Sequence, residues 1–244
     1  MLEYATYSSA GERLYNEDTA RVFVNAEAGA YCFALADGLG GHGAGDVASN
    51  LVTECVGGMV KNEKDFFDLF IDDCFDAAQE ILLAEVNERG LSCRTTLCLL
   101  FIKDRRATWG HIGDSRIYLF KNGKFSGRTR DHSVVQMLVD TGEIDEKEMR
   151  HHEDRSRLLR AMGSEWEDGP EYEVDYRGYE IEPGDVFLLC TDGFWEWLDE
   201  KTMSKLIRRG LSPFDTLEKM AAAAVEAGKG KDMDNLSAVL IKVT

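Results

Sequence analysis

The sequence has little of several features that mark particular protein classes. It contains only 3 prolines, and no composition shift or Pro/Gly linker divides the chain. No run approaches the roughly 18 consecutive apolar residues of a membrane span, and the N-terminus lacks the basic and apolar regions of a signal peptide. The 6 cysteines are scattered, with no CxxC spacing, which favours reduced thiols. We therefore expect a single domain, residues 1–244, that is cytoplasmic and has no membrane partner.

Positive charge is also scarce. The chain has 28 Lys+Arg against 45 Asp+Glu, a formal net charge of −17 at pH 7. A protein that binds nucleic acid through the phosphate backbone needs a surplus of Lys and Arg, so no nucleic-acid partner is expected. An acidic chain can still bind a phosphate group if its carboxylates gather divalent metal ions.

Hydrophobic periodicity predicts alternating groups of strands and helices. The predicted strands cover residues 4–9, 21–25, 31–36, 95–102, 107–112, 116–121, 172–181, 186–190 and 236–243, and the predicted helices cover 44–60, 65–89, 133–141, 145–150, 202–209 and 214–227. Residues 151–173 show no clear period. Strand–helix–strand alternations are too few for a doubly wound parallel sheet, so the pattern favours an α+β fold with mainly antiparallel sheets.

Four aspartates share one local setting, at the edge of an apolar strand beside a glycine or an asparagine. They are Asp37, Asp114, Asp192 and Asp234. One such Asp is most often an ordinary turn residue. Four of them gathered at strand ends would repel one another unless a hard cation lay between them, and Mg²⁺ and Mn²⁺ prefer such all-oxygen ligands.

A polar segment near the N-terminus contains Arg13, Glu17 and Asp18. It can be interpreted as a loop with an internal salt bridge. Alternatively, the planar guanidinium of Arg13 offers a fork of donors to a phosphate group. Glu17 and Asp18 would then orient metal-bound water.

Residues 38–43 formally match GxGxxG between a strand and a helix, as a dinucleotide-binding loop requires. Asp37 would place negative charge against the pyrophosphate, and the segment after the helix reads as more helix rather than as a second strand. The dinucleotide interpretation is therefore disfavoured. No Walker A loop and no GxSxG motif is present.

The motifs together resemble the PPM family, the metal-dependent protein Ser/Thr phosphatases of PP2C type, in their compact bacterial form. The matching pieces occur in family order over nearly the whole chain: Gly11-x-Arg13-x-x-Asn16-Glu17-Asp18, Ala36-Asp37-Gly38-x-Gly40-Gly41-His42-x-x-Gly45, Gly113-Asp114-Ser115-Arg116, Thr129-x-Asp131-His132-Ser133, Leu189-x-Thr191-Asp192-Gly193 and Asp234-Asn235. The resemblance implies an α-β-β-α sandwich, in which two mainly antiparallel sheets pack face to face between outer helices. The metals would lie at one end of the sandwich.

The resemblance also implies a role for each matching residue. Asp37 would bridge two Mg²⁺ or Mn²⁺ ions, the Gly38 carbonyl would bind the first ion, and Asp192 and Asp234 would bind the second. Asp114 with Asp192 would hold a weaker third ion, and Arg13 would bind phosphate. Asp37, Arg13 and Asp192 would thus be catalytic, and Glu17, Asp18 and Asn235 are expected around the metal ligands.

The implied activity is hydrolysis of phosphoserine and phosphothreonine in proteins by a hydroxide that bridges the metal ions. The expected partners are phosphorylated proteins, namely the targets of a Ser/Thr kinase, with the kinase itself as a further candidate. The expected oligomeric state is a monomer. Two alternatives use the same site: a hydrolase of small phosphate esters, and a catalytically silent phosphatase-like regulatory module. Retention of the implied metal ligands and of Arg13 favours an active enzyme.

The sequence departs from the family pattern in two places. Arg94 stands where the family has a glycine before two threonines, and Leu39 stands where eukaryotic members carry a histidine proposed as the general acid. His42 is either the general acid or a structural residue of a tight loop. A metal-bound water is the other candidate for the general acid.

Three regions outside the matched ligands carry their own predictions. His132 is expected to cap the following helix, and residues 151–153 are expected in a solvated loop rather than at a zinc site. Residues 194–198 contain two tryptophans that would form either a substrate platform or a packing anchor beside the metal loop. Residues 151–170, at the place of the family's variable flap, are expected to recognise the substrate.

Overall fold

The computed structural model describes residues 1–40, 44–63, 69–90, 92–167, 169–175 and 177–244. The strands are β1 (Leu2–Ser9), β2 (Asp18–Asn25), β3 (Ala30–Gly40), β4 (Cys93–Thr95), β5 (Leu97–Lys103), β6 (Arg106–Ile112), β7 (Arg116–Lys121), β8 (Lys124–Arg128), β9 (Glu173–Val174), β10 (Tyr179–Glu180), β11 (Asp185–Cys190) and β12 (Leu236–Val243). The helices are α1 (Gly45–Asn62), α2 (Phe70–Arg89), α3 (Val134–Thr141), α4 (Asp192–Trp195), α5 (Glu200–Ile207) and α6 (Pro213–Gly228), with a 3₁₀ helix over Glu146–His151.

The strands form two antiparallel sheets. The first has the order β1-β12-β11-β7-β8, and the second has the order β10-β6-β5-β3-β2, with β4 beside β3 and β9 beside β6. Every strand pair in the described chain is antiparallel. The predicted α+β fold, an α-β-β-α sandwich, is confirmed.

Three central strands, β3, β11 and β12, contain long apolar runs because both of their faces are buried. In β3, Phe33 and Leu35 join the core between the sheets, whereas Cys32, Ala34 and Ala36 face the core under the helices. The same alternation runs along β11 and β12. Since successive side chains of a strand point to opposite faces, Asp37 continues the row of Phe33 and Leu35, between the sheets.

The helices close the two outer faces of the sandwich. On the second sheet, Val52 and Val56 of α1 and Phe75 and Leu82 of α2 are fully buried. On the first sheet, α5 and α6 contribute Met203, Leu217 and Met220 to the core. Burying a side chain of this size stabilises the fold by roughly 1.5–3 kcal/mol, so each outer core fixes its sheet firmly.

Several element boundaries differ from the predictions. The strand predicted over residues 31–36 continues to Gly40, because β4 pairs with Gly38–Gly40. The single strand predicted over 172–181 is wrong: the described residues form β9 and β10, and Gly178 between them has a φ of 62°. The helix predicted over 65–89 spans Phe70–Arg89, and residues 65–68 lie outside the described residues.

The prediction that His132 caps a helix is also wrong. The cap of α3 is Ser133, whose hydroxyl accepts a hydrogen bond from the Gln136 amide. No helix of the described chain is both long enough and apolar enough to cross a membrane.

Candidate metal centre

Five aspartates meet at one end of the sandwich because the strands that carry them end or begin there. Asp18 and Asp37 are direct partners in the pairing of β2 with β3. Asp114 lies in the turn between β6 and β7, Asp192 is the first residue of α4 after β11, and Asp234 precedes β12. Since β7 and β12 flank β11 in the first sheet, the last three also occupy neighbouring strand ends.

The electrostatics show that four of these carboxyl groups are poorly hydrated and repel their acidic neighbours. Burial raises the pKa of Asp37 well above its usual range, and the negative charges of its four acidic neighbours raise it further. Burial also raises the pKa of Asp114, and the negative charge of Asp192 is the next largest cause. Burial raises the pKa of Asp18 to about 8 and that of Asp192 to about 7. Asp18 and Asp114 are 8% and 4% exposed, whereas Asp37 and Asp192 are half-buried and keep one accessible edge.

The cluster fits a divalent cation. All of its donors are oxygens, and the buried Asp18 Oδ1 has no hydrogen-bond partner in the described structure. A buried polar atom without a partner is costly, and mutually repelling carboxylates are relieved by a cation between them. Oxygen-only ligand sets suit Mg²⁺ and Mn²⁺.

Two threonines hold the main chain of Asp37. The Asp37 amide donates to Thr96 Oγ1 over 2.9 Å, and its carbonyl accepts from Thr95 Oγ1 and from the Thr96 amide. Thr96 Oγ1 also lies 2.8 Å from Ser115 Oγ, beside Asp114. Arg94 has no positive φ and its side chain is exposed, so this position does not require a glycine. Through its hydroxyl, Thr96 links the main chain of Asp37 to Ser115, the residue after Asp114.

Gly38 occupies a position that no larger residue fits. A Cβ there would overlap the Gly45 carbonyl and would lie 2.6 Å from the Glu17 carbonyl oxygen. The Gly38 amide donates to that same Glu17 oxygen. The close approach of β3 to the start of α1 therefore depends on a glycine.

Glu17 and Asn235 brace the surrounding loops rather than the acidic cluster. Glu17 Oε1 accepts from the Gly45 amide at the N-terminus of α1, a favourable place for a carboxylate. Asn235 Oδ1 accepts from the Glu17 amide over 2.7 Å, and its Nδ2 donates to the carbonyls of Ala10 and Tyr15. The loop that carries Arg13 is thus fixed to the loop that carries Asp234.

Arg13 lies at the accessible edge of the centre. Its Nε and Nη2 donate to the two carboxylate oxygens of Asp234 over 3.2 and 3.1 Å, and its Nη1 is 3.5 Å from Asp232. Its side chain is 44% exposed. Each carboxylate oxygen has two lone pairs, so the pair with Arg13 leaves acceptor capacity on Asp234.

The main chain of Asp114 is supported by a buried network that the sequence motifs contain but do not explain. Arg116 is fully buried and donates to both carboxylate oxygens of Asp131 over 2.8 and 2.7 Å. Its guanidinium lies 3.5 Å from the centre of the Trp195 ring, and Trp195 Nε1 donates to the Asp114 carbonyl. Trp195 is therefore a packing residue beside the centre, not an exposed platform.

The histidines fall outside the centre wherever they are described. His42 lies outside the described residues. His111, His132 and Glu173 place ligand atoms within 4.8 Å of one another. The Gly113 amide donates to His132 Nδ1, which leaves the proton of the neutral ring on Nε2. Burial lowers the pKa of His132 to about 4, so its ring is neutral.

Comparisons with known proteins identify the family. The family model described as protein phosphatase 2C matches residues 7–227. The chain is 34% identical over 249 residues to the serine/threonine protein phosphatase PstP of Mycobacterium tuberculosis, across 100% of this chain and 45% of PstP. The chain therefore spans less than half the length of that relative. It is 30% identical to the serine/threonine phosphatase stp of Listeria monocytogenes, across 94% of this chain and 91% of stp.

A solved structure shows the same architecture. The catalytic domain of the serine threonine protein phosphatase PstP, in complex with 2 manganese ions, superposes with a TM-score of 0.84 and 30% identity. The match covers 100% of this chain and 99% of that domain. The sequence motifs, the sandwich with acids at one end and these matches agree: the chain belongs to the protein phosphatase 2C family.

Proposed function

We propose that this chain is a Mg²⁺- or Mn²⁺-dependent protein serine/threonine phosphatase that hydrolyses phosphoserine and phosphothreonine in proteins. The observation that carries the proposal is the convergence of five aspartates at one end of the sandwich, four of them with raised pKa values. The relatives, which are named serine/threonine phosphatases, and the two manganese ions of the PstP catalytic domain support it.

In this proposal the metal ligands are those that the family motifs indicate. Asp37 and the Gly38 carbonyl would hold the first ion, Asp37 with Asp192 and Asp234 would hold the second, and Asp114 with Asp192 would hold a weaker third. Ions bound in this way lower the pKa of water and neutralise phosphoryl oxygens.

The chain's own groups position the substrate and the water. Arg13 lies at the accessible edge, where its planar guanidinium is placed to orient a phosphate group. Thr191 Oγ1 donates to Asp18 Oδ2 over 3.0 Å, which leaves Oδ1 as the acceptor for a water molecule. With the main chain at Asp37 fixed by threonines, little reorganisation is needed when the phosphate enters.

The substrate class follows from the reaction. Phosphoserine and phosphothreonine in proteins are products of Ser/Thr kinases, so we propose the targets of such a kinase, and the kinase itself, as candidate substrates. The six cysteines are free thiols, which supports a cytoplasmic location. The strong negative charge disfavours self-association, which supports a monomer. Since the aspartates and Arg13 are all retained, a silent module is disfavoured.

The test is hydrolysis of a phosphothreonine peptide and of p-nitrophenyl phosphate by protein stripped with EDTA and then given Mg²⁺ or Mn²⁺. We expect no turnover after stripping and recovery with either ion. Asp37→Asn should abolish turnover at every Mn²⁺ concentration and remove tight metal binding in calorimetry. The matched control is Asp73→Asn, the same change at an exposed position of α2, which should behave as wild type. Turnover in EDTA would contradict the proposal, and activity on p-nitrophenyl phosphate alone would favour the small-ester alternative.

A further inference from the structure

Residues 152–156 form a turn that few main-chain bonds attach to the rest of the molecule. The amides of Arg155 and Arg157 donate to the carbonyls of His152 and Asp154, and the His152 amide donates to Met149 of the preceding 3₁₀ helix. The chain becomes anchored only afterwards, where the Arg157 carbonyl accepts from the Val134 amide over 2.9 Å. The turn 152–156 therefore needs side-chain contacts to keep its place.

Glu196 supplies such a contact from the element that carries Asp192. The Glu196 amide donates to the Asp192 carbonyl over 2.8 Å, so Glu196 lies one helical turn beyond that aspartate. Its carboxylate is only 8% exposed. In the described structure its ion-pair partners are Arg155 Nε at 2.7 Å and His151 Nδ1 at 3.7 Å, and both come from the turn or its first flank.

This arrangement couples the turn to the metal-bearing end of the fold. A carboxylate removed from water is destabilising unless a cation pairs with it. Movement of the turn away from α4 would separate Arg155 from Glu196, which has no other Arg or Lys partner in the described structure. Docking of the turn is thus favoured by the cost of separating that pair.

We propose that Glu196 is a positioning residue that fastens the turn 152–156 beside Asp192, so that the turn forms one fixed wall of the phosphoprotein-binding surface. The proposal rests on the function proposed above for the site. The exposed Glu153 and the half-buried Asp154 and Arg155 would then face the polypeptide that flanks the phosphorylated residue. A small aryl phosphate would not reach this wall.

Hydrogen exchange of the full-length chain tests the fastening without any need for activity. In Arg155→Gln, amide exchange within residues 153–157 should accelerate by about tenfold or more, the factor that corresponds to about 1.4 kcal/mol. Glu196→Gln should have the same effect, the double variant should add little to either single change, and Arg155→Lys should restore most of the protection. The matched control is Arg89→Gln, which removes an equal charge from an ion pair with Glu85 on α2 and should leave exchange at residues 153–157 unchanged.

Kinetics test the consequence for substrate binding. For Arg155→Gln, kcat/KM for a phosphothreonine peptide should fall at least about fivefold more than kcat/KM for p-nitrophenyl phosphate, mainly through KM. Equal losses on the two substrates would overturn the role in substrate binding. Unchanged exchange in Arg155→Gln, or additive effects in the double variant, would overturn the fastening. Because exchange needs no turnover, a chain without phosphatase activity would refute the proposed function and leave the fastening to be decided by exchange alone.

Discussion

Replacing Asp18 by asparagine should make the metal-free protein more stable. Asp18 is buried, and its pKa is raised from 3.8 to about 8, first by burial and then by the charges of Asp192 and Asp234. A carboxyl group whose pKa is raised on folding favours the folded state below its ordinary pKa, and this contribution is lost as the pH rises towards the folded pKa. Without metal, stability should therefore fall between about pH 4 and pH 8.

The raised pKa of Asp18 sets the size of the expected gain in stability. Keeping this carboxyl protonated from pH 3.8, its ordinary pKa, up to pH 7 costs about 4 kcal/mol, at about 1.4 kcal/mol per pH unit. Asparagine avoids that cost, and its oxygen can still accept the hydrogen bond from Thr191. Its amide group would take the place of the unpartnered Oδ1, and an unsatisfied buried polar group costs about 1–3 kcal/mol. The expected net gain at pH 7 is therefore about 1–3 kcal/mol.

The assay is urea unfolding in EDTA at about pH 5.5 and about pH 8. Thermal unfolding supports it, because each kcal/mol of stability shifts the melting temperature by about 2–4 °C for a chain of this size. The variant should be more stable than wild type and should lose less stability with rising pH. Saturating Mn²⁺ should reverse the order, because the cation stabilises only a folded state that binds it. Asp73→Asn is the matched control and should follow wild type. A variant that is less stable than wild type in EDTA, with an unchanged pH dependence, would refute the reasoning.

Three further substitutions test other parts of the centre. Asp114→Asn should retain two tight metal sites in calorimetry but slow phosphopeptide hydrolysis; full activity would contradict the proposed third ion. Gly38→Ala should cost about 1–3 kcal/mol in urea unfolding, the usual range for forced overpacking, because its methyl group would overlap the Gly45 carbonyl; unchanged stability would show that the strand end can move freely. Arg116→Met should cost about 1–3 kcal/mol because it removes the bidentate partner of the buried Asp131 carboxylate, which keeps only its hydrogen bond from Arg128. Adding Asp131→Leu should recover part of that loss, and a double variant less stable than Arg116→Met alone would argue against an ion-pair origin.

The sequence was informative where local periodicity carries the structure. The near-continuous apolar run of residues 31–36 predicted a buried strand, and the position of four aspartates at strand edges predicted that they gather in the fold. The extension of β3 through Asp37 to Gly40 was not predictable in this way, because its partner β4 begins at Cys93, far along the chain. A turn was predicted there because Asp-Gly is a common turn pair, and tertiary pairing overrode that local preference.

The residues that support the acidic centre could not be recognised from the sequence, for the same reason. In the sequence, Thr96 looks like an ordinary strand residue. In the fold, β5 lies beside β3, and the Thr96 hydroxyl accepts a hydrogen bond from the Asp37 amide. Arg116 reads as a surface arginine, yet it is fully buried because Asp131 and Trp195 enclose it. Sequence motifs that included these residues pointed to the family but not to the contacts, since each contact joins segments that only the folded sheets bring together.

In the acidic centre, the negative charges that would bind divalent cations also destabilise the metal-free fold. The threonine bonds at Asp37 and the buried pair beneath Asp114 fix the main chain, so the carboxylates cannot separate to relieve their repulsion. Local rules of folding are most often broken at functional sites and compensated elsewhere, and here the compensation is the rigid core between the two sheets. A change that removes one of these charges should thus stabilise the metal-free chain and weaken its hold on divalent cations. A series of single Asp→Asn variants at the centre should therefore show an inverse relation between stability in EDTA and affinity for Mn²⁺.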